Sequence, residues 1–421
     1  MGLMHFAAYT ELFTLGGIPM VGNLDTGGII GLTPEGAELC QAMATRNVSQ
    51  EEVPASCVEL VKHLSKGGYL EPAHDEHPRR IRSAYLHVTQ RCNLSCAFCY
   101  SADENRNALP DPTFDELATS IDLLASLGAN RLVISGGEPF LRSDLADIAQ
   151  HAKDRSITEI TVLTNGTVVA QESLSDLVGL VDCIAVAFDG TSADAPAHLR
   201  GAQNFNLLVQ SVGAITEAGI KARILPTLHG KNVDDITAYH LLAEQLGTTL
   251  SFSLLTAPQS KLGTYTLANE QLTKLGEVSA SEALSCEDDV AIGDGTPHLA
   301  ARRFCGAGVT TLSVAADGTV YPCHMLHNRR FAMGNAFRDS ADAILESSVA
   351  QRFRTLDART FESCGTCNKR VLCGGGCRAR VFLATESLTA CDPYCELSSS
   401  YYDSIGQQLA SRFERREPHV V

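Results

Sequence analysis

Cys92, Cys96 and Cys99 stand in the run Cys-Asn-Leu-Ser-Cys-Ala-Phe-Cys-Tyr that fills residues 92–100. Thiols separated by three and then two residues can grip three irons of one cuboidal cluster, which leaves the fourth iron open. An open iron can bind a small chelating ligand and pass it an electron, and that is the chemistry of a reaction centre. Three neighbouring cysteines also suit zinc, commonly held at CxxC spacing, or a buried core. A second block follows: Cys286, Cys305 and Cys323, then Cys364, Cys367, Cys373 and Cys377, then Cys391 and Cys395. Twelve of the fifteen cysteines fall in residues 92–99 and 286–395. Cytosolic thiols stay reduced, so thiolates in such numbers suit iron–sulfur clusters or zinc and not a disulfide framework.

These residues need elements to hold them. Over residues 83–256 strand and helix signals alternate, with strands expected at 84–89, 131–135, 159–164, 182–188, 221–228 and 250–255. The first helix between them has a capping box from Thr113 to Glu116, a stripe of Phe114, Leu117, Ile121 and Leu124, and Gly128 at its end. Six βα repeats imply a parallel sheet with helical crossovers, the α/β class, and ligands gather at the C-terminal ends of such strands. Three strand ends carry unusual residues: Gly136-Gly137-Glu138-Pro139, Thr164-Asn165-Gly166, and Phe188-Asp189-Gly190 with Arg200 beyond it. Gly136 and Gly137 let backbone approach a ligand closely. Asn165 and Asp189 both precede glycine, so turn chemistry is an alternative account of them.

The CxxxCxxC run, followed about 40 residues later by GGEP at a strand end, resembles the radical S-adenosylmethionine (SAM) enzymes. The resemblance implies a partial (β/α)6 barrel. It also implies a SAM-binding 4Fe-4S cluster on Cys92, Cys96 and Cys99, whose open iron takes the SAM amino and carboxylate groups, and a 5′-deoxyadenosyl radical from reductive cleavage of SAM. By position it places the ring of Phe98 beside the adenine, Gly136, Gly137 and Glu138 at the SAM amino group, and Arg200 at the carboxylate. Asn165 and Asp189 belong to the same expected cofactor site. The family's serine contact to the ribose falls at Ala187 here, which leaves that contact without its usual residue.

Cys305-x12-Gly318-x4-Cys323, Cys364-x2-Cys367-x5-Cys373-x3-Cys377 and the final cysteines are similar to the seven-cysteine SPASM pattern, which binds two auxiliary 4Fe-4S clusters. The resemblance gives Cys305, Cys323 and Cys377 to the first auxiliary cluster, and Cys364, Cys367, Cys373 and Cys395 to the second. Cys286 could complete the first, or that site could stay open to a substrate thiolate. Cys391 is left over, as a spare ligand or a hydrogen-atom donor. A zinc ribbon would account for the C-x2-C-x5-C-x3-C part alone. Where related sulfatase-maturating enzymes place a basic aspartate, His324 follows Cys323; it could accept a proton or donate a hydrogen bond to cluster sulfur.

Before the barrel, residues 9–15, 18–24 and 29–32 look like strands, and Thr33-Pro34 starts a helix, with further helical segments at 50–52 and 58–64. The order resembles the PqqD-like peptide-recognition element, in which a leader peptide adds a strand to an open sheet edge; a winged-helix-like cap is the plainer account. Cys40, Cys57 and Cys183 have no cluster spacing and suit the core. The domains expected are therefore 1–80, a PqqD-like recognition element; 81–256, the barrel; 257–304, a bridge with a helix near 270–284; and 305–421, SPASM, ending in a helix over 397–413.

A length of 421 residues fits two or three domains. The net charge of −16 argues against nucleic acid. No apolar run reaches the roughly 20 residues of a membrane span, and MGLMHFAAYTELF lacks a cleavable signal, which implies a cytoplasmic protein without a membrane partner. Together these features imply a peptide maturase. It would take a hydrogen atom from a ribosomally made precursor peptide and close a thioether or carbon–carbon link, with flavodoxin or ferredoxin as electron donor. The alternatives are oxidation of a residue in a folded protein, peptide epimerisation with Cys391 or Cys286 as hydrogen donor, and a non-catalytic iron–sulfur electron carrier.

Overall fold

The computed structural model describes residues 3–71, 81–101, 106–200, 204–285 and 299–414. Cys286, most of the linker expected over residues 71–80 and the extreme C-terminus lie outside them. The chain forms two units: Met1–His77 with Leu267–Cys305 and Leu356–Val421, and Pro78–Thr266 with Gly306–Thr355.

In the first unit the alternating opening of the chain forms an antiparallel sheet of β1 (Thr10–Leu15), β2 (Ile18–Asn23) and β3 (Ile29–Gly31), in that order. The helix Pro34–Thr45 follows, capped by the Thr33 hydroxyl, which accepts from the Gly36 amide at 3.1 Å. One hydrophobic cluster joins Val21 of the sheet to Leu39, Cys40 and Met43 of this helix and to Leu64 of the helix Val58–Lys66. Cys40 and Cys57 are buried in it, and burial, with Cys57 beside it, pushes the Cys40 thiol up to about 12. Leu15 and Met20 pack in a second cluster with Leu372, Tyr401, Tyr402 and Ile405. The opening sheet thus shares a core with the C-terminal segment, each fully buried aliphatic side chain contributing about 1.5–3 kcal/mol. The helix Asn269–Ser285 lies against the helix Cys395–Glu414, and Gly276 is the close-approach residue.

The second unit is built on β4 (Ser83–Thr89), β5 (Arg131–Gly136), β6 (Glu159–Thr164), β7 (Cys183–Val186) and β8 (Lys221–Ile224), all parallel neighbours. The expected strand over 221–228 breaks into β8 and β9 (Thr227–Leu228), because Pro226 has no amide to give a ladder. Its neighbour breaks in step, into β10 (Thr249–Leu250) and β11 (Ser253–Leu254), which pair with β8 and β9. The first barrel helix, Phe114–Ser126, keeps its capping box and buries Leu117, Ile121 and Leu124. Phe114, read as part of that stripe, is instead 36% exposed and meets the His151 ring edge-on.

Beyond β4 the sheet continues with β12 (Thr311–Val314), parallel to β4, then β13 (Thr319–Tyr321) and β14 (Gly334–Asn335), for nine strands in all. The segment expected to form one C-terminal domain from residue 305 is therefore shared: backbone pairing attaches 306–355 to the barrel sheet, whereas 356–414 packs in the first unit. Among the described residues no helix is long and apolar enough to cross a membrane.

Candidate functional site

The loop after β4 carries Cys92, Cys96 and Cys99, all half-buried. Burial raises the Cys96 thiol, while Arg200 works against that and Cys99 and Cys92 add to it, so the three sulfurs share one field. Burial also works to raise Cys99. The hydroxyl and amide of Ser101 and the Arg106 guanidinium overcome it and hold this thiol below its ordinary value. Arg106 Nη2 lies 3.0 Å from Cys99 Sγ and 3.1 Å from Ser101 Oγ, and Ser101 Oγ donates to the Gly136 carbonyl at 2.9 Å. Neither Ser101 nor Arg106 stood out in the sequence. The signal was there: a cation seven residues past the last cysteine of the CxxxCxxC run in a strongly acidic chain.

Gly136 and Gly137 lie flush against the chain entering that loop. The Gly137 amide donates to the Thr89 carbonyl and the Glu138 amide to the Arg91 carbonyl, both at 2.8 Å. A Cβ on Gly137 would collide with the Arg91 carbonyl, and one on Gly136, at φ +127°, with that of Thr89. The close approach in this structure is thus to backbone of the cluster loop. Glu138 is fully buried. Its carboxylate accepts from the amides of Phe140 (3.1 Å) and Asn165 (2.7 Å) and the hydroxyl of Thr164 (2.8 Å). Burial still leaves it raised above the usual carboxylate range, against the pull of those donors.

Asn165 in turn donates through Nδ2 to Asn93 Oδ1 at 2.9 Å, and lies 3.9 Å from Cys92 Sγ. Asp189, also buried, accepts from the successive amides of His198, Leu199 and Arg200. The two turn residues therefore position neighbours: Asn165 ties the strand end to the cluster loop, and Asp189 fixes the segment that carries Arg200. Among the described residues Arg200 Nη1 is buried without a partner, an open donor on a side chain whose charge acts on Cys96. Phe98 packs its ring 5.0 Å from that of Tyr265, which belongs to a further group, with His198 and His229, that the sequence did not flag.

His324 stacks on Tyr85 with centroids 3.9 Å apart, and its Nδ1 is 3.8 Å from Cys323 Sγ. Burial, then His327, lowers it to about 3, so the ring is neutral at physiological pH and a weak base. In the first unit Cys364, Cys373 and Cys395 share a field with Cys391. Burial and then Cys391 push Cys395 up to about 12. Cys391, left over in the sequence, thus stands among the thiols of the second auxiliary set. The Cys367 amide donates to the Cys364 carbonyl at 2.9 Å, which puts these two on one tight turn. Gly374, Gly375 and Gly376 all take positive φ between Cys373 and Cys377, a path only glycine follows at low cost. Asp392 Oδ2 accepts from the Cys377 amide at 2.7 Å and pairs with Arg380. Cys305 and Cys377 belong to the first unit and Cys323 to the second.

Residues 86–242 match the radical SAM superfamily, and residues 305–368 match SPASM, an iron–sulfur cluster-binding domain. This chain is a radical SAM/SPASM enzyme. Among similar proteins is an AdoMet-dependent heme synthase of Methanosarcina barkeri, 27% identical over 335 residues, covering 73% of this chain and 94% of that protein. Another is the mycofactocin maturase MftC of Mycobacterium ulcerans, 29% identical over 330 residues, covering 73% and 86%. The structure of Streptococcus suis SuiB bound to precursor peptide SuiA superposes with a TM-score of 0.60 at 14% identity, covering 93% of this chain and 99% of SuiB, a likeness of fold. The cofactors of this radical SAM enzyme are SAM and more than one 4Fe-4S cluster. Its residues fit them: three thiols on one loop with cations beside them, and the partnerless buried Arg200 Nη1 where a ligand carboxylate would find a donor.

Proposed function

We propose that this enzyme matures a ribosomally made precursor peptide, with residues 1–80 as the recognition element. The observation that carries the reading is the open edge of the N-terminal sheet. Asn23 N donates to Gly28 O and Leu32 N to Pro19 O, so antiparallel alternation turns the amides and carbonyls of Ile29 and Gly31 away from β2. A leader strand would pair there through its own main chain. The maturase name of one relative and the precursor peptide bound to SuiB support this.

Cys92, Cys96 and Cys99 would hold the SAM-binding cluster, and the second cysteine block two auxiliary clusters. When bound, the first cluster and SAM supply a 5′-deoxyadenosyl radical able to take a hydrogen atom from a peptide carbon. The chain's own residues prepare that chemistry. Arg106 and Ser101 favour the charged form of Cys99, Asp189 presents Arg200 to the SAM carboxylate, and Glu138 ties together the loops at the strand ends. His324, neutral and 3.8 Å from Cys323 Sγ, is placed to tune a cluster sulfur by hydrogen bonding. The product is a thioether or carbon–carbon link, and the electron donor is of the flavodoxin or ferredoxin class.

The test is capture of peptides from lysate of the source organism on the full-length protein, since the N-terminal sheet shares its core with the C-terminal segment. The variant Gly31→Pro serves as control: a side chain there meets nothing, and proline removes an edge donor without touching the ladder to β2. A short peptide held by the wild type and lost by Gly31→Pro, and lighter by two hydrogens after incubation with SAM and reductant, is expected. Capture of a folded protein, equal on both baits, would replace this reading by oxidation of a residue in that protein.

A further inference from the structure

His229 ends the strand edge formed by β9 and is fully buried. Its Nδ1 accepts from the Lys231 amide at 3.1 Å, while its own amide donates to Asn232 Oδ1 at 2.8 Å. A neutral imidazole has one acceptor and one donor nitrogen, so the Lys231 contact assigns the proton to Nε2. Burial, then His198, lowers His229 to about 4, which keeps it neutral at physiological pH. Nε2 has no partner. A buried N–H without an acceptor is costly and rare in a finished fold, so this one waits for an acceptor from outside the chain.

Its surroundings say what kind. The His229 ring lies 5.0 Å from Tyr265 and 5.2 Å from His198, edge-on to both, and Tyr265 is 5.0 Å from Phe98 of the cluster loop. The Gly230 amide donates to the Tyr265 carbonyl at 2.9 Å, which holds this ring against the turn. Asp189, in whose field His229 lies, binds the backbone of His198 and Arg200. The Lys231 ammonium lies 4.2 Å over the Tyr265 ring, but the open donor itself is a neutral N–H among aromatic faces, which suits a heteroaromatic or hydroxyl acceptor. The residue at the end of the β7 segment where a serine would serve this purpose is Ala187, which brings no hydroxyl.

We infer that His229 Nε2–H donates to the adenosyl half of bound SAM and supplies the polar contact that Ala187 lacks. The inference rests on the strand ends being the SAM site. Two variants separate donation from a structural part. In His229→Asn the side-chain oxygen can take the place of Nδ1 and keep the Lys231 contact, while its NH2 is too short to put a donor at the position of Nε2. In His229→Gln the amide nitrogen can take the place of Nε2. The measurement is equilibrium binding of SAM to the anaerobically reconstituted, unreduced holoenzyme, with competition by 5′-deoxyadenosine and by methionine.

The expected result is SAM affinity weakened about tenfold in His229→Asn, as for loss of one net hydrogen bond, and near wild type in His229→Gln. The same factor appears with 5′-deoxyadenosine and is absent with methionine, and the thermal midpoint and cluster absorbance are unchanged. Should His229→Asn fail to fold, His229→Leu, an apolar replacement, carries the same expectation. Equal SAM affinity in Asn and wild type, a loss shared by methionine, or Gln as weak as Asn each overturns the inference. Wild-type holoenzyme that binds no SAM overturns the site itself.

Discussion

Glu138 and Asp392 are two buried carboxylates with the same task, holding backbone amides beside the cysteines proposed as cluster ligands, and different electrostatics. Among the described residues no cation acts on Glu138, and burial wins. Replacing it with Gln turns an amide NH2 toward one of its three donors, so we expect a loss of about 1–3 kcal/mol in denaturant unfolding. Iron in the first cluster should fall as well, because the Asn165 contacts to Asn93 and Cys92 depend on that carboxylate. At Asp392 burial works to raise the pKa, but Arg380 and the amides of Tyr394 and Cys377 lower it below the ordinary 3.8. A depressed carboxylate stabilises the fold above its unfolded value and loses that contribution as pH falls through the folded one. The acid limb of wild-type stability should therefore steepen below about pH 4 and flatten in Asp392→Asn. At neutral pH that variant should lose about 3–5 kcal/mol, because Arg380 is left buried without its partner. Unfolding midpoints across pH 3–7 decide this, and equal slopes would remove Asp392 as the cause.

At the scale of elements, the helices Asn269–Ser285 and Cys395–Glu414 meet at Gly276, where a Cβ would crowd Ser400, Leu397 and Tyr401. Gly276→Ala gains helix propensity of about 1 kcal/mol in isolation, yet overpacking typically costs 1–3 kcal/mol, and backbone atoms of Leu397 and Tyr401 cannot swing aside. A net loss of stability by chemical denaturation is expected, and a gain would show that the two helices separate at little cost. Helix positions here were readable in advance from caps and apolar spacing. Their partnership was not, since 123 residues separate Thr273 from Glu396, to which it hydrogen-bonds.

For the whole molecule, the thiols of both cysteine blocks imply three cubane clusters, hence about 12 irons per chain after reconstitution. Iron and sulfide analysis near that value is expected. About four would confine cluster binding to the loop after β4. Substituting Cys391 by Ala tests its company with Cys364, Cys373 and Cys395: as a ligand it takes about four irons with it, and as a bystander it takes none.

Chemistry that depends on neighbours in sequence was legible without a structure. The spacing of Cys92, Cys96 and Cys99, the GGEP run, the caps at Thr33 and Thr113 and the period of the strands are local, because a few bonds of chain fix the distance between such groups. The family comparisons agree with that reading. Tertiary structure alone decided that 311–314 would pair with β4, that Pro226 would divide a strand and its partner together, and that Glu138 and Asp189 would spend their charge on backbone amides. It also decided that Arg106 would lie beside Cys99, His229 beside Tyr265 and Cys391 beside Cys395. A side chain's burial, field and hydrogen-bond partners are properties of the closed chain, set by segments tens to hundreds of residues away.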